Sequence, residues 1–464
     1  MSEKALVVPG TVRRASAAEW RAMAAIASPI VVVQVGMMLM GVVDTLMIGR
    51  VDATALAAVA LGNLYFFNAI VIPMGALMVL DPLVSQAAGA RDDVAVSRAI
   101  QRGMFLALVF GVLATLIMLP VGPVLRLFHQ PAEVIPEART YVHLGAWSMV
   151  PFLGFVVVRQ SLQALHRVAP IVVTIVTANL LNAGLNYVLI FGHLGFPRLE
   201  VAGAAIATVI GRWFMFVVLV MVAWRELRPY LAKLDRHALT WPPLRRMLAL
   251  GLPIGFQQFL EYSAFAAVGL MMGTFGAIQV ASHQVALNLA ALTFMVPLGV
   301  AAAASVRVGH AVGAADADRS RRAARIAYLL GGCFMTTTAA LFLVFPRQLA
   351  ELYTPDPAVI GITAALIPIA GIFQVFDGMQ AVGAGVLRGL GDTRVPLIAM
   401  LSGYWLIGMP VSVFLGFRTP LGPQGLWWGF VAGLASVGVF LLIRVRALLR
   451  RGVERVHVDA LTPF

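Results

Sequence analysis

The sequence predicts an all-α integral membrane protein with twelve transmembrane helices, arranged as two six-helix lobes related by a parallel internal repeat. Three observations carry that reading. The 464 residues are 60% hydrophobic and only 12% charged, with a mean hydropathy of +0.90, whereas soluble domains average about half apolar and a quarter charged. Apolar runs of roughly twenty residues or more, each long enough to cross a bilayer, recur along the chain. Finally, a set of Gly, Pro and Arg positions returns at one fixed offset.

In chain order, apolar runs between charged or Pro/Gly-rich breaks place spans at about 23–48, 54–81, 95–119, 138–164, 169–192 and 201–223. The second six follow at about 247–273, 278–305, 322–345, 358–387, 394–416 and 424–446. With both termini on one side, 26 of the 34 Lys and Arg lie on that side and 6 on the other, and Arg159 and Arg212 fall within spans. Positive charge marks the cytoplasmic side, so both termini are expected in the cytoplasm of a multi-pass plasma membrane protein of a bacterial inner membrane. The opening residues MSEKALVVPGTVRRASAAEW lack the apolar run and cleavage site of a secretory signal, which agrees with a retained cytoplasmic N-terminus.

Pro29, Gly49, Pro73, Gly75, Gly89 and Arg98 recur as Pro253, Gly273, Pro297, Gly299, Gly313 and Arg322, all at an offset of 224 residues. A weaker echo pairs LQALHRVAP (Leu162–Pro170) with LRGLGDTRVP (Leu387–Pro396), one residue longer. Six spans per half is an even number, so both halves start on the same side and the repeat is parallel, with a binding cavity expected between the lobes. The expected organisation is an N-terminal lobe at 1–223, a cytoplasmic linker at 224–246 carrying Pro229, Pro242 and Pro243, and a C-terminal lobe at 247–464.

Composition also excludes several classes. A single cysteine, Cys333, rules out a disulfide framework and a cysteine-based metal site, and is expected to be a packed small residue. The net charge of +13 is accounted for by the basic loops, without a nucleic-acid partner. No glycine-rich phosphate loop, nucleophile elbow or HExxH motif is present, so neither ATP-driven nor enzymatic chemistry has a foothold.

Asp44, Glu261 and Asp377 each stand as the only acid of a separate span. A carboxylate at membrane depth is costly, and such groups usually line a watery cavity and bind or relay ions. The offset of 224 takes Glu261 to Met37 and Asp44 to Val268, so these acids are not marks shared by the two halves. Glu261 and Asp377 lie near the middles of their spans and are the expected coupling-cation site. Facing carboxylates suit Na⁺, whose water they replace, or can share a proton. A buried structural hydrogen bond is the bland alternative.

Asp44, about one turn from the end of its span, serves either an N-lobe polar cluster or snorkels to the interface. Asn182 and Asn186, four residues apart, share a helix face, and Thr208 follows in the next span. These four form a candidate proton or substrate site, with interhelical stitching as the alternative. Candidate cavity contacts are Gln34, Gln257, Gln284, Asn288, Phe373 and Gln374, polar anchors and an aromatic wall among apolar residues. Gln258, Gln380, Phe265, Phe294 and Phe376 belong to the same scatter, for which helix packing is the simpler role. His283 lacks partners at metal-ligand spacing and is expected to be hydrogen bonded. Arg159, Arg307 and Arg388 are expected to snorkel; Asp81 has no assigned role.

VDTLMIGR, NLLNAGLNYVLIFG, LPIGFQQFLE and FQVFDGMQAVGAGVLRGLGDTRVP, in the first, fifth, seventh and tenth spans, resemble the MATE (multidrug and toxic compound extrusion) family, NorM-type branch. The resemblance covers essentially all twelve spans. It implies export of organic cations and aromatic drugs in exchange for Na⁺ or H⁺, a cation site at Glu261 and Asp377, and a polar cluster at Asp44, Asn182 and Asn186. Two positions depart from the family pattern: Asp81, usually small or hydroxylic, and Phe373, near where many relatives carry tyrosine.

The sequence thus points to a cation-coupled secondary antiporter working by alternating access. Its expected partners are small organic cationic or aromatic substrates and membrane lipids, with no cofactor beyond the coupling ion and a monomeric state. The rivals are a lipid-linked sugar flippase of the same superfamily, which would favour an arginine-rich cavity, and a non-carrier channel.

Overall fold

The computed structural model describes residues 9–452 and 454–459, with side chains from Ala18 onward. The first residues of the N-terminal segment lie outside the described residues. Among the described residues every regular element is a helix. Twelve long helices are α1 (Pro9–Ile48), α2 (Ala53–Leu77 continuing as Leu80–Gly89), α3 (Asp93–Met118), α4 (Ile135–Ala146 and Met149–Ala164), α5 (Ala169–Phe191) and α6 (Glu200–Val222). They continue as α7 (Trp241–Gly273), α8 (Ala277–Gly313), α9 (Ala317–Val344), α10 (Pro357–Gly389), α11 (Arg394–Phe417) and α12 (Pro423–Arg451).

Ten of these are long and apolar enough to cross a membrane, and α4, bent by 51° between its two segments, makes an eleventh. α7 completes the set with 33 residues; Gln257, Gln258, Glu261, Tyr262 and Ser263 dilute its hydropathy. α2 extends beyond the expected 54–81, through a break at Met78–Val79, because the turn that ends it lies at Gly89.

Charged breaks in the sequence prove to be helix caps. Asp52, Asp92, Asp316 and Asp356 each accept a hydrogen bond from a backbone N–H in the first turn of α2, α3, α9 and α10, at 2.7, 3.0, 2.8 and 2.9 Å. Asp92 and Asp316 are one repeat apart. The turns before them match in detail: Arg91 and Ala315 are both left-handed (φ 58° and 55°), and Asp92 N and Asp316 N bond to Ala87 O and Ala311 O, each at 2.9 Å. The weaker echo behaves likewise, since His166 and Gly391 are left-handed and Arg167 N and Asp392 N reach back to Leu162 O and Leu387 O.

Two compact units emerge. One comprises residues up to Val31 together with Leu260–Arg455 and holds Glu261; the other comprises Val32–Phe259 and residues from Val456, and holds Asp44. The division falls inside α1 and α7, so the connector Trp224–Arg246 lies within the Asp44 unit. In that unit, Gly251 and Gly255 of α7 press onto α2, where a Cβ at Gly75 would stand 2.6 Å from Gly255 Cα. The Glu261 unit repeats the contact: a Cβ at Gly299 of α8 would lie 3.1 Å from the backbone nitrogen of Val31 in α1. Val31 and Gly255 are equivalent in the repeat, as are Gly75 and Gly299. Without a water-driven force between helices in lipid, close backbone approach at small residues supplies the packing.

In the Asp44 unit the connector folds over the start of α3. Gln101 donates to Tyr230 O and Lys233 O, both at 2.9 Å, and Arg98 Nε donates to Asp235 Oδ2 at 2.7 Å. That hydrogen bond holds the Asp235 carboxyl below its usual range. The last described residues join the same layer. Val456 N donates to Gln86 Oε1, Arg246 to Val458 O, and the buried Arg102 pairs with Asp459.

Several placements differ from the sequence-based expectation. Arg307 does not snorkel: it is buried in a bidentate pair with Glu19, with contacts of 2.6 to 2.8 Å, both inside the Glu261 unit. Arg159, 7% exposed, donates to Gln34 Oε1 at 3.1 Å and lies within electrostatic range of the buried Asp81. Helix neighbours capture both guanidinium groups before they can reach an interface. Cys333 is exposed rather than packed, because α9 buries the opposite face carrying Gly331, Met335, Thr338 and Ala339.

Removing one partner of a buried pair leaves an unpaired charge, at about 3–5 kcal/mol. Glu19→Ala should therefore lower the thermal unfolding midpoint of the purified protein markedly, and Glu19→Leu combined with Arg307→Met should restore most of it. Equal midpoints for wild type and Glu19→Ala would show the pair to be inert.

Candidate ion and substrate sites

The Asp44 unit brings all four residues of the expected polar cluster together. α1 delivers Asp44, 6% exposed, to the common face of Asn182 and Asn186 on α5, both fully buried. Asn186 Nδ2 donates to Asp44 Oδ1 and, at 3.3 Å, to Asn182 Oδ1. From α6, Thr208 Oγ1 donates to Asp44 Oδ2 at 3.4 Å and also bonds Ala204 O at 2.9 Å. Asp44 is thus enclosed in hydrogen bonds and does not snorkel.

Further residues border this site. Arg212, four residues beyond Thr208, interacts electrostatically with Asp44 and donates to Ser148 Oγ at 2.8 Å. Its guanidinium lies 3.6 Å from the centroid of the Phe66 ring. The Tyr141 hydroxyl donates to Asn63 Oδ1 at 3.0 Å. The four-residue spacing of Thr208 and Arg212 is the available signal for the arginine; Tyr141 sits within the first segment of the bent α4, where sequence shows nothing distinctive.

The Glu261 unit holds the second site. Glu261 on α7 is part-exposed, Asp377 on α10 is 5% exposed, and the two carboxyl groups lie within direct electrostatic range of each other. Gln380, one turn beyond Asp377, faces both acids; with its amide nitrogen turned inward it donates to Asp377 Oδ1 at 3.2 Å. α11 contributes Tyr404, whose hydroxyl faces Glu261 without closing a hydrogen bond among the described residues. It sits where α11 widens into π-helical turns over Leu401–Gly408, a distortion frequent at functional sites. Gly403 and Gly408 let this segment lie against Gly433 of α12. Two carboxylates, an amide and a phenol make an oxygen-rich set suited to a small hard cation or a shared proton.

An aromatic cluster adjoins these acids. Phe265 lies tilted against Phe430 at 4.8 Å between centroids and meets Phe373 edge-on at 5.9 Å, with Tyr404 at 6.2 Å. Trp427 closes the far side against Phe373 and His283. Tyr404, Trp427 and Phe430 were not singled out by sequence, since aromatic residues at helical spacing look the same in any packed span.

The expected cavity contacts divide. Phe373, 1% exposed, and Gln374, fully buried, are enclosed in helix packing in this conformation. Gln374 Oε1 accepts from Thr293 at 2.9 Å and Thr338 at 3.0 Å. Gln284 is exposed and pairs with Asn288 at 3.2 Å. Gln34 belongs to the Arg159 contact, and Gln257 is buried in the Asp44 unit. His283 is not hydrogen bonded through Nδ1 to any described residue; its ring packs edge-on against Trp427 at 5.6 Å.

Fold and sites together define a multi-pass membrane protein of the transporter class. The MatE family model matches residues 29–188 and 253–414, one segment in each repeat, and the chain belongs to that family. Among curated relatives it is similar to the "Probable multidrug resistance protein NorM" of Rhizobium meliloti (strain 1021), at 38% identity over 91% of this chain and 92% of the relative. The "Multidrug resistance protein MdtK" of Edwardsiella ictaluri (strain 93-146) is 34% identical over 93% and 96%. Among solved structures, the fold is similar to the eukaryotic MATE transporter AtDTX14, with a TM-score of 0.86, 21% identity and coverage of 94% and 98%. An outward-facing multidrug resistance MATE transporter of the MOP superfamily gives 0.85 at 20% identity, covering 93% and 96%.

The Asn186 contact is testable by stability. Asn186→Leu removes a donor from a buried carboxylate, which costs about 1–3 kcal/mol. Its unfolding midpoint should fall below wild type, and the loss should shrink when Asp44→Asn is added; equal losses in both backgrounds would mean the bond contributes nothing.

Proposed function

We propose that the protein is a cation-coupled antiporter that exports organic cations and aromatic drugs across a bacterial inner membrane, with both termini in the cytoplasm. The observation that carries this reading is the pairing of a part-exposed Glu261 with a buried Asp377 at membrane depth, within electrostatic range of each other. Two negative groups held away from bulk water bind a cation strongly, and an inorganic and an organic cation compete for the same charge. The printed names of the relatives, multidrug resistance proteins NorM and MdtK, agree with drug export.

In the proposed cycle, Na⁺ or H⁺ enters from outside, occupies Glu261 and Asp377 with help from Gln380 and Tyr404, and displaces the organic cation outward. Alternating exposure of the site to the two sides of the membrane then carries the ion inward and releases it. Exchange of one monovalent ion for one monocation moves no net charge, so only the ion gradient drives it, at about 1.4 kcal/mol per tenfold. A second coupling ion would add about 2.3 kcal/mol per 100 mV.

Dye efflux from proteoliposomes under an imposed Na⁺ gradient and, separately, an imposed pH gradient tests the proposal and identifies the ion. Glu261→Gln and Asp377→Asn should each reduce gradient-driven efflux to the passive leak. If both variants transport as wild type does, the carboxylate pair is not the coupling site. Current measured during turnover separates electroneutral from electrogenic exchange.

A further inference from the structure

The segment that follows α12 is held at both of its ends. In the Glu261 unit, Arg321 Nε donates to Leu449 O at 3.0 Å and Arg444 Nε donates to Asp392 Oδ2 at 2.8 Å, which fastens the last turns of α12. Arg455 is the last residue of that unit, and Val456 opens the part of the segment that belongs to the Asp44 unit. There residues 456–459 settle on three helices. Val456 N donates to Oε1 of the buried Gln86 of α2 at 2.8 Å, Arg246 of α7 donates to Val458 O at 3.0 Å, and Val458 is itself buried. Arg102 of α3, 2% exposed, gives its Nε to Ala238 O of the connector at 2.8 Å and both terminal nitrogens to the Asp459 carboxylate. Arg98, one turn earlier, stands 3.9 Å from the same carboxylate.

Packing alone does not account for Arg102. Arg98 recurs in the repeat as Arg322, and four residues on the counterpart of Arg102 is Ile326, which is also buried. An apolar side chain therefore fills this place in the fold equally well. A buried guanidinium is costly unless a carboxylate meets it, and among the described residues Asp459 is the acid that does so. α12 ends at Arg451, five residues before Val456, a stretch that spans at most about 18 Å when fully extended. While Val456 stays docked, the end of α12 cannot move farther from it than that.

We propose that residues 456–459 form a strap, an intramolecular ligand of the Arg102 pocket that leashes α12 to the Asp44 unit. Docked, the strap opposes parting of the two units on the face that carries the connector. Asp459 leaves Arg102 when the transport cycle opens that face and returns when it closes. The Asp459 side chain is 34% exposed, so water can take over from the guanidinium as the pair separates. The inference rests on the proposed alternating exposure of the ion site.

Both docking and release are measurable in the full-length protein carrying Cys333→Ser, which removes its one native thiol. Docking is read from Val458→Cys. A water-soluble maleimide should label this thiol far more slowly in the native protein than in the unfolded one. Arg102→Gln should speed labelling at least about tenfold, the effect of losing one charge-assisted contact. Equal rates in native and unfolded protein would show the segment undocked and overturn the proposal.

Release is read from Arg246→Cys combined with Val458→Cys, which keeps Arg102 and Asp459 and so decides even if Arg102→Gln does not fold. Bridging the two thiols with a reducible bifunctional reagent locks the strap. In proteoliposomes the locked protein should lose most of its gradient-driven dye efflux and regain it on reduction, while its affinity for the dye without a gradient stays unchanged. Full efflux from the locked protein would make the segment a permanent staple and overturn the proposal. Absence of gradient-driven efflux from the unlocked protein would count against the antiport reading instead, and the labelling rates, which need no gradient, would still decide on the strap.

Discussion

A charge carried into a bilayer must bring its partners with it, and most polar features of this protein follow from that constraint. Asp44 is met by Asn186, Thr208 and Arg212; Glu19 by Arg307; Arg159 by Gln34 and Asp81. Each satisfied group is drawn from two or more helices, so the pairs also fix which helices lie together. Glu261 and Asp377 break the pattern. They face one another with an amide and a phenol but no facing base in their unit among the described residues, and an arrangement of that kind gains most from a cation supplied from solution. The two sites thus answer the ionic problem differently: at Asp44 the protein supplies the partners itself, whereas Glu261 and Asp377 face no base of their own unit among the described residues.

The internal repeat has an equally physical basis. Gly75 and Gly299 recur because each is the point where a helix backbone from the other half of the sequence comes within van der Waals contact, α7 at Gly255 in one unit and α1 at Val31 in the other. Asp92 and Asp316 recur because one helix cap is built twice, each after a left-handed residue, Arg91 or Ala315. The acids do not recur, since Met37 and Val268 occupy the equivalent positions. Packing and turn geometry are common to the halves, and chemistry is not.

That distinction explains how much was readable beforehand. Spans and the repeat depend on local pattern, so hydropathy and offset locate them, although α1 begins as early as Pro9 and α2 and α8 run on to Gly89 and Gly313. The membership of the Asp44 cluster was also legible, because Asn182 and Asn186 share a helix face and few other reasons place amides in an apolar span. Tyr404, Trp427, Phe430 and Tyr141 were not, since their roles depend on contacts between distant helices and their residue types are common in membrane spans. Arg159 and Arg307 depart from the sequence-based expectation for the same reason: a long basic side chain near a helix end has two places to go, and only a buried acid from another helix, Asp81 or Glu19, decides between them.

The pair of Glu19 and Arg307 has a consequence for how the molecule is made. Its two members are 288 residues apart in the chain, so at synthesis rates of about 5–20 residues per second the glutamate precedes its arginine into existence by about 15 to 60 seconds. During that interval the opening stretch of α1 has neither the basic partner nor the surface of α8 that later receives Val31. The nascent protein therefore waits with an unmatched acid at its leading helix, and assembly of the Glu261 unit cannot finish until the ribosome is well into the second half of the message.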